Sequence, residues 1–128
     1  MPKKSLEFGL YPWFPGYGYA HIHPANRREF EALEPHNKVF EKFDEINGWL
    51  LLRYGDEEFK VRPELFTNVE PLPFTFGEWV KPASQPNGPV AEITDIYWSP
   101  PEDAAYFALR QGKRKLDGVY RQDQLRPA

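Results

Sequence analysis

The sequence contains no cysteine, which excludes a disulfide framework and any metal site built on thiolates. It also lacks a long apolar run: stretches such as residues 49–52 are far shorter than the roughly 20 residues that a transmembrane helix needs. Residues 1–9 include two lysines but no apolar stretch of the kind found in secretory signals. We therefore expect a cytoplasmic protein without membrane contact.

Catalytic signatures are also missing. The chain contains no nucleophile elbow, phosphate-binding loop, dinucleotide fingerprint or zincin motif. The formal net charge is −3, whereas proteins that bind nucleic acid broadly carry an excess of lysine and arginine. The missing catalytic motifs predict a protein that is not an enzyme and that uses no cofactor. The net charge argues against a nucleic-acid partner.

Aromatic residues, proline and glycine are abundant. The 128 residues include 10 Phe, 7 Tyr, 4 Trp, 14 Pro and 9 Gly. Short strands joined by tight turns would use this mixture, because aromatic residues favour strands while glycine and proline favour turns. A chain of this length forms one domain or two very small ones.

An internal repeat indicates how the chain is organised. The pattern Leu-Arg-x-Gly occurs at 52–55 and again at 109–112, and each copy is followed by a strand-like run that ends in Arg-x-acidic. Two further pairs of segments match in the same order: 39–46 with 90–97, and 8–11 with 76–79. We predict two copies of one small β-unit, with convergent hairpin composition as the alternative.

Turn residues define the hairpins of both copies. Asn47-Gly48 is the strongest signal, because both central residues of a type I′ turn need a positive φ. Gly55 and Gly112 mark the next turn in the first and second copy. After Gly112 the run 116–121 is predicted to form a strand.

A helical insert is predicted in the first copy near residues 25–34. Asn26 and Glu29 are the expected capping pair at its start, and Pro35 ends it. A helix this short is marginal in isolation, so it should pack on the strands.

The predicted element order has a long first loop, a central hairpin and one helical turn before the last strand, and it resembles the Src-homology-3-like small barrel. The segments FGLYPW at 8–13 and FGEWVKP at 76–82 resemble the opening strand of bacterial, Tudor-like or ribosomal-type barrels. The chain also resembles a bacterial family with no assigned activity. These resemblances imply an all-β protein of two tandem barrels packed together, 1–72 with the insert and 73–128. Such barrels bind peptides, nucleic acids or proteins.

The proline-stiffened loop 11–24 is the first candidate binding surface. The loop would offer rigid aromatic contacts that lose little entropy on binding, from Trp13, Phe14, Tyr17 and Tyr19. The alternative is that these side chains cover the open end of a barrel.

Tyr97 and Trp98 form a second candidate binding surface. With Tyr54 and Tyr106 they would line a groove or cage for a peptide or a cation. Packing in the core is again the alternative.

The motif HIHP at 21–24 is a weaker candidate metal site. His21 and His23 lie on one face if the segment is extended, and His36 would be a third ligand. The alternative is that the imidazoles bond to the backbone at an edge. Separately, Arg110, Lys113, Arg114 and Lys115 form a local basic patch.

The leading hypothesis is a non-enzymatic module that binds a protein or peptide through aromatic loops. A more specific version is an immunity or inhibitor protein that neutralises a basic toxic enzyme. The two alternatives are a metal-dependent enzyme that uses the histidines and a small barrel that binds nucleic acid through the basic patch.

Overall fold

A computed structural model describes residues 7–128. The chain divides between Pro71 and Leu72 into two compact units. Residues 1–6 lie outside the described range. They include most of the segment 1–9, in which we expect no secretory signal. Within residues 7–128, no helix has the length and apolar character needed to cross a membrane.

The first unit is a five-stranded antiparallel sheet with one short α-helix. Its strands are β1 (Glu7–Leu10), β2 (Val39–Ile46), β3 (Trp49–Tyr54), β4 (Glu57–Val61) and β5 (Thr67–Val69). They lie in the order β4-β3-β2-β1-β5. Between β1 and β2 runs the insert, residues 11–38, which contains short 3₁₀ turns and the helix α1 (Arg27–Leu33). A 3₁₀ turn at Pro63–Leu65 precedes β5.

The second unit repeats this arrangement without the insert. Its strands are β6 (Trp79–Pro82), β7 (Ala91–Ser99), β8 (Ala104–Gln111), β9 (Arg114–Lys115), β10 (Tyr120–Arg121) and β11 (Leu125–Pro127). The order is β10-β8-β7-β6-β11, and β9 also pairs with β8. A 3₁₀ turn at Gln122–Gln124 precedes β11. The predicted mainly β fold is therefore confirmed.

The registers of the two sheets match position by position. Glu41 pairs with Arg53 across β2 and β3, and Glu92 pairs with Arg110 across β7 and β8. Each of these hairpins has one register shift, and it falls at the same place, just before Asp44 in one and just before Asp95 in the other. The predicted repeat is therefore present in three dimensions, and we call the two units the first and second repeat.

The predicted match of segment 8–11 with 76–79 is wrong. Phe8 pairs with Glu41, and the residue that pairs with the equivalent Glu92 is Trp79, not Phe76. The two Phe-Gly dipeptides have different roles, because Gly9 lies inside a strand whereas Gly77 has a φ of 81° in the turn before β6. The shared Phe-Gly dipeptide caused the wrong alignment of the two segments.

Local signals gave most of the elements in the first repeat. Asn47 and Gly48 have φ values of 53° and 82° and join β2 to β3, as predicted for a type I′ turn. Helix α1 lies within the predicted range. Its predicted capping pair does not form: the side chain of Asn26 instead accepts a hydrogen bond from the amide of Lys60 at 2.9 Å.

Each repeat has its own apolar core. The first is built from aromatic rings, with Phe30 of α1 tilted against Phe40 and edge to face with Phe59 of the sheet. The second is largely aliphatic and is centred on Ile93, Ile96, Phe107 and Leu109. The aromatic core explains how so short a helix is held, since burial of Phe30 ties it to two strands.

The Glu–Arg pair that occurs in both repeats forms an ion pair on each sheet, which indicates a structural role. Arg53 lies 3.5 Å from the buried carboxylate of Glu41, and Arg110 lies 3.3 Å from Glu92. The second pair is more exposed to solvent, so it contributes little to stability.

Candidate functional site

The aromatic loop of the insert is built on a buried tryptophan. Trp13 is only 1% exposed, and its indole N–H donates to the carbonyl of Gly18 at 2.8 Å. Its ring packs against Phe30 of α1 and against Tyr19. Trp13 therefore belongs to the core, as the packing alternative proposed, and it offers no surface to a partner.

Phe14 and Tyr17 form an exposed aromatic pair on the same loop. Their side chains are 53% and 52% exposed, and their ring centroids lie 4.3 Å apart. The 3₁₀ turn Pro15–Tyr17 sets this spacing, with the amide of Tyr17 donating to the carbonyl of Phe14 at 2.9 Å. Proline restricts the backbone of this turn, so the pair is held in position before any partner arrives.

Tyr19 connects the loop to the helix. It is 39% exposed, and its hydroxyl donates to the Glu31 carboxylate at 2.8 Å, which raises the pKa of Tyr19. Tyr19 thus contacts the buried Trp13 with its ring and α1 with its hydroxyl.

The insert is fastened along the outer edge of β4. The amide of His23 donates to the carbonyl of Lys60 at 3.0 Å, and the amide of Arg62 donates to the carbonyl of His21 at 2.7 Å. Ile22, between the two histidines, forms an antiparallel bridge with Val61 of β4. The segment 21–23 therefore acts as a short added strand.

A buried tyrosine fixes the start of the insert to the same edge. Tyr11 is fully buried, and its hydroxyl donates to the carbonyl of Arg62 at 2.7 Å. Burial, with a smaller effect from the Glu64 carboxylate, raises the pKa of Tyr11 well above that of a free tyrosine.

Replacing Tyr11 by phenylalanine is expected to lower the free energy of unfolding by about 1–2 kcal/mol, because a buried carbonyl loses its donor. The folded state holds Tyr11 protonated, so its contribution is complete below the unfolded pKa of about 10 and is lost as the pH rises above it. Urea denaturation at neutral and alkaline pH should therefore show a shallower alkaline decline in Y11F. The control is Y17F on the exposed ring, and equal declines in Y11F and the wild type would contradict the assignment.

The three histidines do not form a metal site. Among residues 7–128, no group of three His, Cys, Asp or Glu side chains is placed to hold a metal ion. His23 accepts the Ala25 amide through Nδ1 and packs on Trp49. His21 lies 3.9 Å from Glu64. The alternative, that the histidines lie at a sheet edge, describes them better, because the backbone of the segment 21–23 is hydrogen-bonded along β4.

The residues of the second candidate binding surface, Tyr97 and Trp98, do not lie on one face of the sheet. Tyr97 pairs with Tyr106, while Trp98 pairs with Ala105. Consecutive strand residues point to opposite faces, so Tyr97 and Trp98 do not line one cage. Tyr54 is buried in the first repeat against Phe40.

The strand predicted at residues 116–121 is interrupted in the structure. Only its end, Tyr120–Arg121, pairs with β8, and the strap, residues 116–119, lies outside the strands. Residues 117–119 occupy the position that Lys60 alone holds in the first repeat. Gly118 has a φ of 77°, a conformation that glycine adopts at little cost and that turns the chain out of the sheet.

The strap leaves a groove of about 350 Å³ on the outer face of the second sheet. Its lining residues are Tyr97, Ala108, Lys115, Leu116, Asp117, Gly118 and Val119. Tyr97 forms one wall, and burial followed by the nearby Asp95 carboxylate raises the pKa of Tyr97. The volume lies at the lower end of the range for ligand pockets, about 300–1,000 Å³.

The basic patch lies beside this groove. Arg110 is engaged by Glu92, whereas Lys113, Arg114 and Lys115 are exposed and form no ion pair with any other residue of the described range. The two turns that hold Gly55 and Gly112 are equivalent, but only the second carries three cations in succession.

Sequence reasoning included Phe14 and Tyr17 in the candidate loop but missed the groove entirely. The repeat itself contains a signal for the groove. The second copy has two more residues between Gly112 and Arg121 than the first copy has between Gly55 and Arg62. An insertion within a predicted strand indicates a bulge.

Comparison with known proteins places the chain in a family without assigning an activity. No curated protein and no solved structure matches it. Residues 1–126 match a family of unknown function, DUF6960, and the chain therefore belongs to that family.

Proposed function

We propose that this protein is a non-enzymatic module that binds a protein or peptide through the insert of its first repeat. The observation that carries the proposal is the aromatic pair, Phe14 and Tyr17, which is exposed to solvent yet held by a structured turn above the buried Trp13.

Rigid aromatic side chains suit this role on physical grounds. A ring on a fixed backbone loses little conformational entropy when a partner covers it, and aromatic residues are enriched among those that dominate binding energy. In the insert, Trp13 and Tyr11 anchor the loop from below, and the Tyr19–Glu31 hydrogen bond fixes it to α1. The binding surface would therefore be preorganised.

We further propose that each repeat is a Src-homology-3-like barrel. In support, each sheet is a meander whose last strand returns to pair with its first, and a 3₁₀ turn precedes that last strand. Folds of this kind commonly present ligands with the loops between strands, and the insert is the longest such loop here.

The test is affinity capture from a lysate of the native cells, with the full chain as bait. The double variant F14S/Y17S should lose the partner that the wild type retains, because removing one dominant aromatic contact costs 2 kcal/mol or more, about a 30-fold loss of affinity. The matched control is W79S, which removes a ring that is 51% exposed in the second repeat. Circular dichroism would show that all three proteins are folded.

A partner held equally by the wild type and F14S/Y17S would contradict the proposal, as would the absence of any protein enriched over the bare resin. The inhibitor version adds a requirement: the captured partner should be a basic enzyme whose activity falls when the module binds. A captured partner with no activity would exclude that version and leave the module itself in place.

A further inference from the structure

The two repeats treat the same sheet edge differently. In the first, the segment 21–23 covers the outer edge of β4 and bonds to the main chain of Lys60 and Arg62. In the second, the connection between β6 and β7 is residues 83–90, and none of these is hydrogen-bonded to the strap or to β10. Within residues 7–128, the edge that the chain covers in the first repeat has no covering strand in the second.

The register identifies the groups on this open edge. Val61 and Tyr120 are equivalent, since they pair with Leu50 and Phe107 at the same position of the two sheets. Their neighbours on the open edge are Val119 and Arg121, which take the positions of Lys60 and Arg62. In the first repeat the Lys60 carbonyl and the Arg62 amide point away from β3, since both bond to the segment 21–23. The shared register gives the Val119 carbonyl and the Arg121 amide the same outward direction.

A side chain takes the place of the missing strand at one of these groups. The amide of Arg121 donates to the side-chain oxygen of Gln124 at 2.9 Å, whereas the equivalent amide of Arg62 donates to the backbone of His21. The main chain of Val119 has no hydrogen-bond partner in the described part of the chain, and Val119 is 45% exposed. An unpaired edge of this kind is a template for another strand.

Charge selects the kind of strand that would bind here. Residues 110–121 contain five of the 16 basic residues of the chain but only one of its 19 acidic residues. Lys113, Arg114 and Lys115 lie next to the edge without ion pairs among residues 7–128. The groove beside the strap adds an apolar recess between Tyr97 and Val119.

We propose that an extended acidic peptide binds to the second repeat by adding a strand at Val119 and Arg121, as the segment 21–23 does in the first repeat. The peptide carbonyl displaces the Gln124 side chain from the Arg121 amide. A second peptide residue pairs with Val119: its amide donates to the Val119 carbonyl, and its carbonyl accepts from the Val119 amide. Its acidic side chains lie against Lys113–Lys115, and an apolar side chain enters the groove. Strand addition of this kind gives affinity through the main chain and selectivity through side chains.

The probe is a fluorescein-labelled peptide, acetyl-Glu-Glu-Val-Ile-Val-Glu-Glu-amide, titrated with the full chain and followed by fluorescence anisotropy. Binding should be lost when the three central residues of the peptide are N-methylated, because those donors are removed while charge and side chains remain. Hydrogen exchange at the Val119 amide should slow when the unmethylated peptide saturates the protein.

Two variants separate the parts of the site. Q124A should tighten binding about twofold to tenfold, since it removes a hydrogen-bond acceptor that competes with the peptide. K115E should weaken binding about threefold to tenfold at low salt, whereas R28E, the same charge change on an exposed residue of the first repeat, should have no effect. F14S/Y17S should bind the peptide normally, which keeps this test independent of the proposed function.

Equal binding of the parent and N-methylated peptides would overturn strand addition, and so would the absence of any binding at the highest soluble concentration. Displacement of the peptide by single-stranded oligothymidylate, with unchanged exchange at Val119, would assign the patch to nucleic acid instead. Concentration-dependent dimerisation that blocks the peptide would assign the edge to a second copy of the chain.

Discussion

Replacing Trp13 by alanine is expected to lower the free energy of unfolding by about 3–5 kcal/mol, the range for removing a large aromatic side chain from a core. The side chain is almost fully buried and contacts both Phe30 and Tyr19. Its loss also leaves the Gly18 carbonyl without the indole donor. Because Trp13 supports the loop that carries the aromatic pair, the variant should lose order in that loop first.

Urea denaturation followed by far-ultraviolet circular dichroism measures this change. The matched controls are F14A and Y17A, whose rings lie on the same loop but are exposed, and each should change the free energy of unfolding by no more than about 0.5 kcal/mol. A small effect of W13A would contradict its role in the core. A large effect of Y17A would contradict the assignment of the aromatic pair to the surface.

The second large effect is expected at Gly9. A Cβ atom at this position would lie 2.3 Å from the ring of Phe66 and 2.7 Å from the carbonyl oxygen of Thr67, both far inside van der Waals contact. Introducing valine should therefore lower the free energy of unfolding by about 1–3 kcal/mol or more, as overpacking typically does. Thermal and urea denaturation would both report the loss.

The repeat supplies the compensating change. By register, Gly9 and Phe66 correspond to Val80 and Leu125 in the second repeat. The first repeat thus combines a glycine with a large phenylalanine ring, and the second repeat has two side chains of medium size at the same positions. The double variant G9V/F66L should recover part of the stability lost in G9V, because the shortened side chain removes the ring from the clash.

The control for this double-mutant cycle is F66L alone, which should be destabilising because it leaves space above Gly9. If G9V and F66L act additively, the two positions are not coupled. The backbone contact with Thr67 would then account for the whole effect of G9V.

The differences between the repeats are where the candidate sites lie. The strand order and the ion pairs are shared, and they build the sheets. Within residues 7–128, the insert with its aromatic pair belongs to the first repeat, and the strap with its groove and cations belongs to the second. A shared scaffold with unlike loops is a common way for small domains to carry different binding surfaces.

Much of the fold could be predicted from short stretches because the responsible physics is local. Asn47-Gly48 specifies its turn through the φ values of two adjacent residues, and Gly112 does the same for the turn after β8. Alternating apolar and charged residues indicated which segments are half-buried strands. The matches between 39–46 and 90–97 and between 52–55 and 109–112 then revealed the repeat, which the registers confirm.

Local signals failed where two stretches looked alike but packed differently. The Phe-Gly dipeptides at 8 and 76 have the same letters, yet one lies in a strand and the other at a turn. Asn26 has the chemistry of a helix cap, yet its side chain accepts from Lys60, far away in sequence. A competing partner that is distant along the chain is invisible to a reading of neighbouring residues.

The sequence by itself determined the β-character, the repeat, the hairpin turns and the position of the short helix, because each depends on neighbouring residues or on a pattern within one strand. Only the tertiary structure decided which aromatic side chains are buried. Trp13, Phe14 and Tyr17 share one loop and similar chemistry, but the first lies under α1 while the other two face solvent. Burial depends on which distant segment packs over a side chain. The edge beside Val119 is open for a similar reason, because the segment that covers the equivalent edge within residues 7–128 belongs to the first repeat.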